Sequence, residues 1–175
     1  MKKSGDVNQV EGTQKMKEIM DRWKNISQIN KLSEQDLKTK FVIPMLQALN
    51  WNIQNVQEVM EQRNFFGFLP DFILTDKHGK IVLVEVKRPA EYSQLEKDLK
   101  KYRNNPNVRK EATVLFLTTF NDSKICTLGK IKGQRTIKIS FSQYVSEFDK
   151  LWAYLSNSEE GFKTRTYEKA WAPRD

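Results

Sequence analysis

Cysteine and histidine are almost missing from this chain: Cys126 and His78 are the single examples among 175 residues. One thiol permits no internal disulfide and one imidazole cannot build a Cys/His zinc cluster, so a reducing compartment is expected. The same shortage removes Ser–His and Cys–His nucleophilic catalysis. No apolar run approaches the roughly 18 residues a membrane span needs. Residues 1–12 lack the apolar segment of a secretory signal. A cytoplasmic location with no membrane association is therefore expected. Neither G-x-x-x-x-G-K-[ST] nor G-x-G-x-x-G occurs, which excludes two phosphate-cradling loops. Chemistry is left to carboxylates, lysines and a metal ion.

Charge, by contrast, is plentiful and unbalanced. Thirty Lys and Arg against 22 Asp and Glu leave a formal +8 and a pI near 9.5, a balance suited to a polyanion such as nucleic acid. With 38% hydrophobic and 11% aromatic residues, the chain is able to bury a core, and its length fits one domain with short tails.

The hydrophobic pattern divides the chain. Residues 1–32 read as an extension whose polar start precedes a short amphipathic helix carrying Met16, Ile19, Met20 and Trp23. Ser33 with Asp36 resembles a capping box opening a stronger helix with Leu37, Phe41, Met45 and Ala48 on one face, ending near Asn50 and kinked or bent at Pro44. The period then changes to two, which predicts strands at Ile53 with Val56–Val59, at Phe68–Thr75 and at Lys80–Lys87, the last two joined by a turn over residues 76–79. Ser93 and Glu96 offer a second capping box for a helix with Leu95, Leu99 and Tyr102 inward, ended by Asn104, Asn105 and Pro106. Ala112–Thr119 reads as a buried central strand, Ile125–Ile131 and Thr136–Ser140 as weaker ones. Tyr144, Phe148, Leu151, Trp152 and Leu155 mark a last helix. Residues 33–156 thus form the domain, and 157–175 read as a basic tail. The order predicts an α/β sandwich around a mixed sheet.

Two features break the rules of an ordinary strand. Alternation along Ile81–Lys87 puts Val82, Val84 and Val86 on one face and Ile81, Leu83, Glu85 and Lys87 on the other. Both faces begin apolar, so an acid and an amine end up in a partly buried place where unpaired charges are costly. A surface pair on an edge strand is the plainer alternative. If the hairpin centres on His78, Ile73 opposes Leu83 and Asp71 opposes Glu85. Two facing carboxylates need a shared proton or cation, and oxygen donors without Cys or His suit Mg²⁺ or Mn²⁺. Glu34, in the first turn of the Ser33 helix, either joins that pocket or merely complements the helix dipole.

Pro70 and Asp71, then Glu85-Val86-Lys87, preceded by Glu34 on a helix, resemble the PD-(D/E)xK nuclease superfamily. The stretch from Glu34 through Lys40, Phe41 and Pro44 to Trp51 further resembles the N-terminal nuclease domain of type I restriction enzyme motor subunits. The likeness covers roughly Ser33 to Leu155. It implies a restriction-endonuclease-like αβββαβ core and Mg²⁺-dependent hydrolysis of DNA phosphodiesters, with Mn²⁺ as a substitute. Asp71, Glu85 and the Val86 carbonyl would hold the metal, Glu34 would assist, and Lys87 would position water or stabilise charge. The family's Gln-x-x-x-Tyr is met only in part, because Asp98 precedes Tyr102 and the helix's one glutamine is Gln94.

The motor that accompanies this domain in type I enzymes needs a nucleotide-binding P-loop, and this sequence has none, so the resemblance implies a stand-alone nuclease, or a fragment or subunit directed by a specificity or motor partner, in a prokaryotic or mobile-element setting. Paired cuts across a duplex would favour a homodimer. Lys77 to Lys110 carries ten Lys or Arg against four acids, and Lys97, Lys100, Lys101 and Arg103 could track phosphates. Lys130, Lys132, Arg135 and Lys138 form a second basic stretch. Rival readings are a non-catalytic nucleic-acid-binding module and a protein-interaction subunit that retain the fold.

Overall fold

The computed structural model describes residues 6–129 and 134–171, apart from the side chains of 30 and 168–171. A six-stranded mixed sheet in the order β1-β2-β3-β4-β5-β6 forms its centre. The strands are β1 (Val59–Glu61), β2 (Phe72–Thr75), β3 (Ile81–Val86), β4 (Ala112–Thr118), β5 (Asp122–Thr127) and β6 (Thr136–Ser140). Only β3 and β4 run parallel; the other neighbours are antiparallel. A parallel pair needs a crossover, supplied here by α4 (Tyr92–Asn104) and α5 (Pro106–Glu111). α1 (Gln9–Lys24), α2 (Glu34–Leu37), α3 (Ile43–Ala48), α6 (Phe148–Leu155) and α7 (Glu159–Trp171) complete the fold.

Alternation along β3 sorts the core. Val82, Val84 and Val86 join a large cluster with Met16, Trp23, Phe41, Leu46 and Trp152 from the helices. Leu83 faces the other way, with Ile73, Leu95, Leu99, Tyr102 and Leu117. Both faces of β3 are covered, which excludes the edge-strand alternative for Glu85.

Several boundaries differ from expectation. The first strand does not include Ile53 or Val56–Glu58; it starts at Val59 and is an edge. β2 begins at Phe72 and not Phe68, because Phe65–Phe68 close a tight turn of their own. The Ser93–Glu96 capping box does not form: a 3₁₀ turn over Pro89–Glu91 leads into α4 at Tyr92, so Ser93 is already helical. Asn105 does more than end that helix, since its side chain accepts from the Asn107 and Val108 N–H groups and caps α5. β5 starts three residues earlier than Ile125. Its predicted end, with Lys130 and Lys132, lies outside the described residues. α1 already begins at Gln9, inside the polar start of the extension.

Pro44 produces no sharp break. The chain widens into a π-helical turn over Lys38–Val42 and returns to α geometry at Ile43, so the proline stands in the first turn of α3, where its missing N–H is tolerated. Ser33 does cap α2, accepting from the Asp36 N–H.

The stretch read as a tail is folded. α7 carries Arg165, whose guanidinium donates to Asp76 Oδ2 from Nη2 at 3.0 Å, both side chains being fully buried. Asp76 Oδ1 meanwhile accepts from the N–H groups of His78 and Lys80, fixing the β2–β3 turn in which Gly79 takes φ +76°. This locks the C-terminal helix to the hairpin that carries Asp71 and Glu85. Removing one partner of a buried pair strands the other, at about 3–5 kcal/mol. Arg165→Ala should therefore lower the urea midpoint substantially, while Lys163→Ala on the same helix should barely move it.

Candidate active site

The β2–β3 register pairs Phe72 with Val84 and Ile73 with Leu83. Continued by one residue, it brings Asp71 opposite Glu85, as the sequence predicts. Asp71 stands just before β2, where its carboxylate replaces a ladder bond: Oδ2 accepts from the Val86 N–H at 2.7 Å. The carboxylate is 4% exposed at the residue level, and Glu85 is 9%.

The sequence did not single out the partner of Asp71. Lys38 Nζ donates to Asp71 Oδ1 at 3.1 Å, and both groups are buried. Its signal was available: Lys38 stands four residues after Glu34, so α2 turns an acid and an ammonium toward one place. The π-helical turn begins at this lysine.

Glu85 is held from α4. The Tyr102 hydroxyl donates to Glu85 Oε2 at 2.9 Å, and Lys87 Nζ is 3.8 Å from Oε1. Burial, then the Asp71 charge, push the Glu85 carboxyl up to about 8 against the opposing effects of Tyr102 and Lys87. Glu85 is thus largely protonated at neutral pH. Glu34 is also raised, first by desolvation and then by Asp71. For Lys87, burial works downward, but Glu85, Glu34, Asp98 and Asp71 outweigh it and lift the amine above its usual value. Lys87 therefore stays an ammonium and serves as a fixed positive charge. Tyr102 is pushed strongly upward by burial and by Glu85, so its hydroxyl remains a donor.

Asp98 is the second member that sequence reasoning left out. It acts electrostatically on both Glu85 and Lys87. Gln94 donates to its Oδ1 at 3.2 Å, while Oδ2 is buried with no hydrogen-bond partner. Its position one helical turn before Tyr102 was the available signal, noted only as a departure from the Gln-x-x-x-Tyr pattern.

Asp71, Glu85 and Lys87 thus meet. Glu34 is coupled to them through charge but does not complete a ligand set: among the described residues, no group of three or more His, Cys, Asp or Glu side chains is arranged to hold a metal ion. The basic surface is only partly as expected. Lys97, Lys100 and Lys101 are exposed on α4. Arg103 instead turns back to the sheet, donating to the Arg135 carbonyl at 2.6 Å, and Tyr102 is buried at Glu85. Gln94 is engaged with Asp98. All three side chains thus make contacts inside the fold, although the Arg103 Nε is buried with no hydrogen-bond partner.

The chain matches no protein-family model, and no curated protein and no solved structure matches it significantly. No helix among the described residues is long and apolar enough to cross a membrane. A mixed α/β protein, with a buried acid pair between two ammonium groups at one end of its central hairpin, is what fold and site define.

Proposed function

We propose that this protein is a metal-dependent nuclease of the PD-(D/E)xK type, hydrolysing DNA phosphodiesters, with Mg²⁺ as cofactor and Mn²⁺ able to substitute. The observation that carries the reading is the Asp71–Glu85 pair, two buried carboxylates facing each other across a hairpin, with Lys87 beside them. The αβββαβ run from α2 to β4 has the order expected of a restriction-endonuclease-like core.

The donor chemistry fits a hard cation. Mg²⁺ is commonly bound by one or two carboxylates and keeps several waters, so Asp71 and Glu85 suffice without a third acid, and Glu34 and Asp98 would accept from those waters. The Val86 carbonyl is the remaining ligand the motif implies. When bound, the metal lowers the pKa of a coordinated water and screens the phosphate. Lys87, held as an ammonium, stabilises charge developing on the scissile phosphate. Tyr102 orients Glu85, and Lys38 pairs with Asp71 in its buried position.

A second reading has one observation in its favour. Lys38 already neutralises Asp71, as in a nucleic-acid-binding module that no longer needs a metal. Nicking of supercoiled plasmid separates the two. Purified protein should convert plasmid to open circles in Mg²⁺ or Mn²⁺, and EDTA or Lys87→Ala should stop it, the latter by at least about 100-fold. Equal nicking by the wild type and Lys87→Ala would reject the nuclease reading. Exposed Lys97, Lys100 and Lys101 would supply phosphate contacts, and a homodimer or a specificity or motor partner would set where cuts fall.

A further inference from the structure

The large apolar side chains exposed among the described residues are Val10, Val56, Phe66, Leu69 and Tyr167. Two of them, Phe66 at 46% and Leu69 at 66%, lie in the short segment that runs into Asp71. We propose that the Phe65–Phe68 turn is a base-stacking wedge: Phe66, backed by Leu69, inserts against the bases of a DNA strand whose backbone lies at the Asp71–Glu85 site. The location of that strand rests on the nuclease reading above.

The turn is built to hold an aromatic ring outward. The Phe65 N–H donates to the Phe68 carbonyl at 2.8 Å and the Phe68 N–H to the Phe65 carbonyl at 3.0 Å. Phe66 and Gly67 between them have φ of +52° and +90°. Positive φ at both central residues defines a two-residue turn normally filled by Asn, Asp or Gly. Asn64 braces it by accepting from the Gly67 N–H at 3.0 Å. Phenylalanine is among the poorer residues for the first position, and burial offers no compensation because the ring is exposed.

Its neighbours are packed inward while about half of Phe66 stays exposed. Phe65 belongs to the cluster beneath α4 and meets the Phe66 ring edge-on at 5.0 Å. Phe68 stacks on Tyr102 with ring centres 4.5 Å apart and planes at 24°. Tyr102 is the residue that holds Glu85. The base of the segment is tied to the site as well, because the Gln62 N–H donates to the Asp71 carbonyl at 3.2 Å. Phe66 stands five residues before Asp71, a stretch that spans at most about 17 Å, and successive nucleotides on a strand rise about 3.4 Å, so at most about five nucleotides fit in it. The wedge therefore falls within a few nucleotides of a phosphate at Glu85. Arg63, exposed on the same segment, supplies a cation for the adjoining phosphate. Apolar wedges that unstack a step, and aromatic rings that receive a base, are general devices of nucleic-acid binding.

The experiment uses the full chain in EDTA, so that no strand is cut, with duplex DNA carrying one 2-aminopurine. Wild type should bind and raise the fluorescence as the base unstacks. Phe66→Asn removes the ring yet suits positive φ, so it should fold at least as well. It should bind roughly 5- to 150-fold more weakly and lose the fluorescence rise. Phe66→Trp should keep both. A Phe66→Asn protein that binds and brightens like wild type overturns the wedge, as does wild type that leaves the probe dark or fails to bind DNA. Plasmid nicking in Mg²⁺ is read separately: brightening without nicking keeps the wedge and removes the hydrolytic reading.

Discussion

Asp71→Asn should abolish plasmid nicking, with a loss of at least about 1,000-fold, and destabilise the protein at the same time. The activity loss follows from removing a charged donor from the acid pair. The stability loss has a different origin. Lys38, 7% exposed, is ion-paired with Asp71, and an uncharged partner strands that buried ammonium at about 3–5 kcal/mol. At about 2–4 °C per kcal/mol for a chain of this size, the melting temperature should fall by roughly 6–20 °C. Adding Lys38→Met to Asp71→Asn should restore much of the stability and none of the activity, because a similar-sized apolar side chain carries no charge to strand. Thermal melts and nicking assays on the two variants check both halves. An active Asp71→Asn enzyme would show that the chemistry lies elsewhere.

Glu85→Gln should also eliminate activity, but with the opposite effect on stability. Burial and the Asp71 charge push the Glu85 carboxyl from its ordinary 4.5 up to about 8 in the folded state. Its neutral form is therefore the one the fold prefers. The contribution is fully present below about pH 4.5 and is lost as the pH rises through about 8. Glutamine keeps the neutral form at every pH. The variant should thus match wild type near pH 4.5 and exceed it at pH 9, by a few kcal/mol or roughly 5–10 °C. Mg²⁺ should stabilise wild type at pH 8 to 9 and leave the variant unchanged, since a ligand stabilises only the state that binds it. Metal affinity of wild type should rise about tenfold per pH unit below 8, as the bound ion displaces the Glu85 proton. Calorimetry across pH, with and without Mg²⁺, tests these signs. A Glu85→Gln melting temperature below that of wild type at pH 9 would contradict them.

The two substitutions differ because the two acids are managed differently. Asp71 has a cation and a backbone N–H in contact, so its charge is already solvated by the protein. Glu85 has a neutral hydroxyl and a more distant ammonium, so its charge waits for another cation. On the nuclease reading proposed above, a divalent ion would bind such a site at the cost of one proton.

Much of this was legible in the chain. The hairpin centred on His78 could be read from residues 76–79; a period of two fixes only the face, since a two-residue slip preserves it, and the observed register is the one that brings Asp71 to Glu85. The burial of Glu85 followed from the valines around it, since a strand apolar on both faces belongs inside a sheet. The α/β class and the central strand Ala112–Thr118 came from the same patterning. Local periodicity carries such information because it acts between neighbours in sequence.

The partners of these groups were settled only by tertiary structure. Lys38 reaches Asp71 across 33 positions, and Arg165 reaches Asp76 across 89. Read locally, the first is a basic residue one helical turn after Glu34 with nothing to name Asp71 as its partner, and the second is one more in a basic C-terminal stretch. Asp98 likewise becomes part of the site only because the α4 crossover lays it beside Glu85. Long-range ion pairs leave no periodic trace, since one contact between distant residues imposes nothing on the residues between them. A sequence thus marks where buried charge must be compensated, and the packing of helices on the sheet decides which side chain does so.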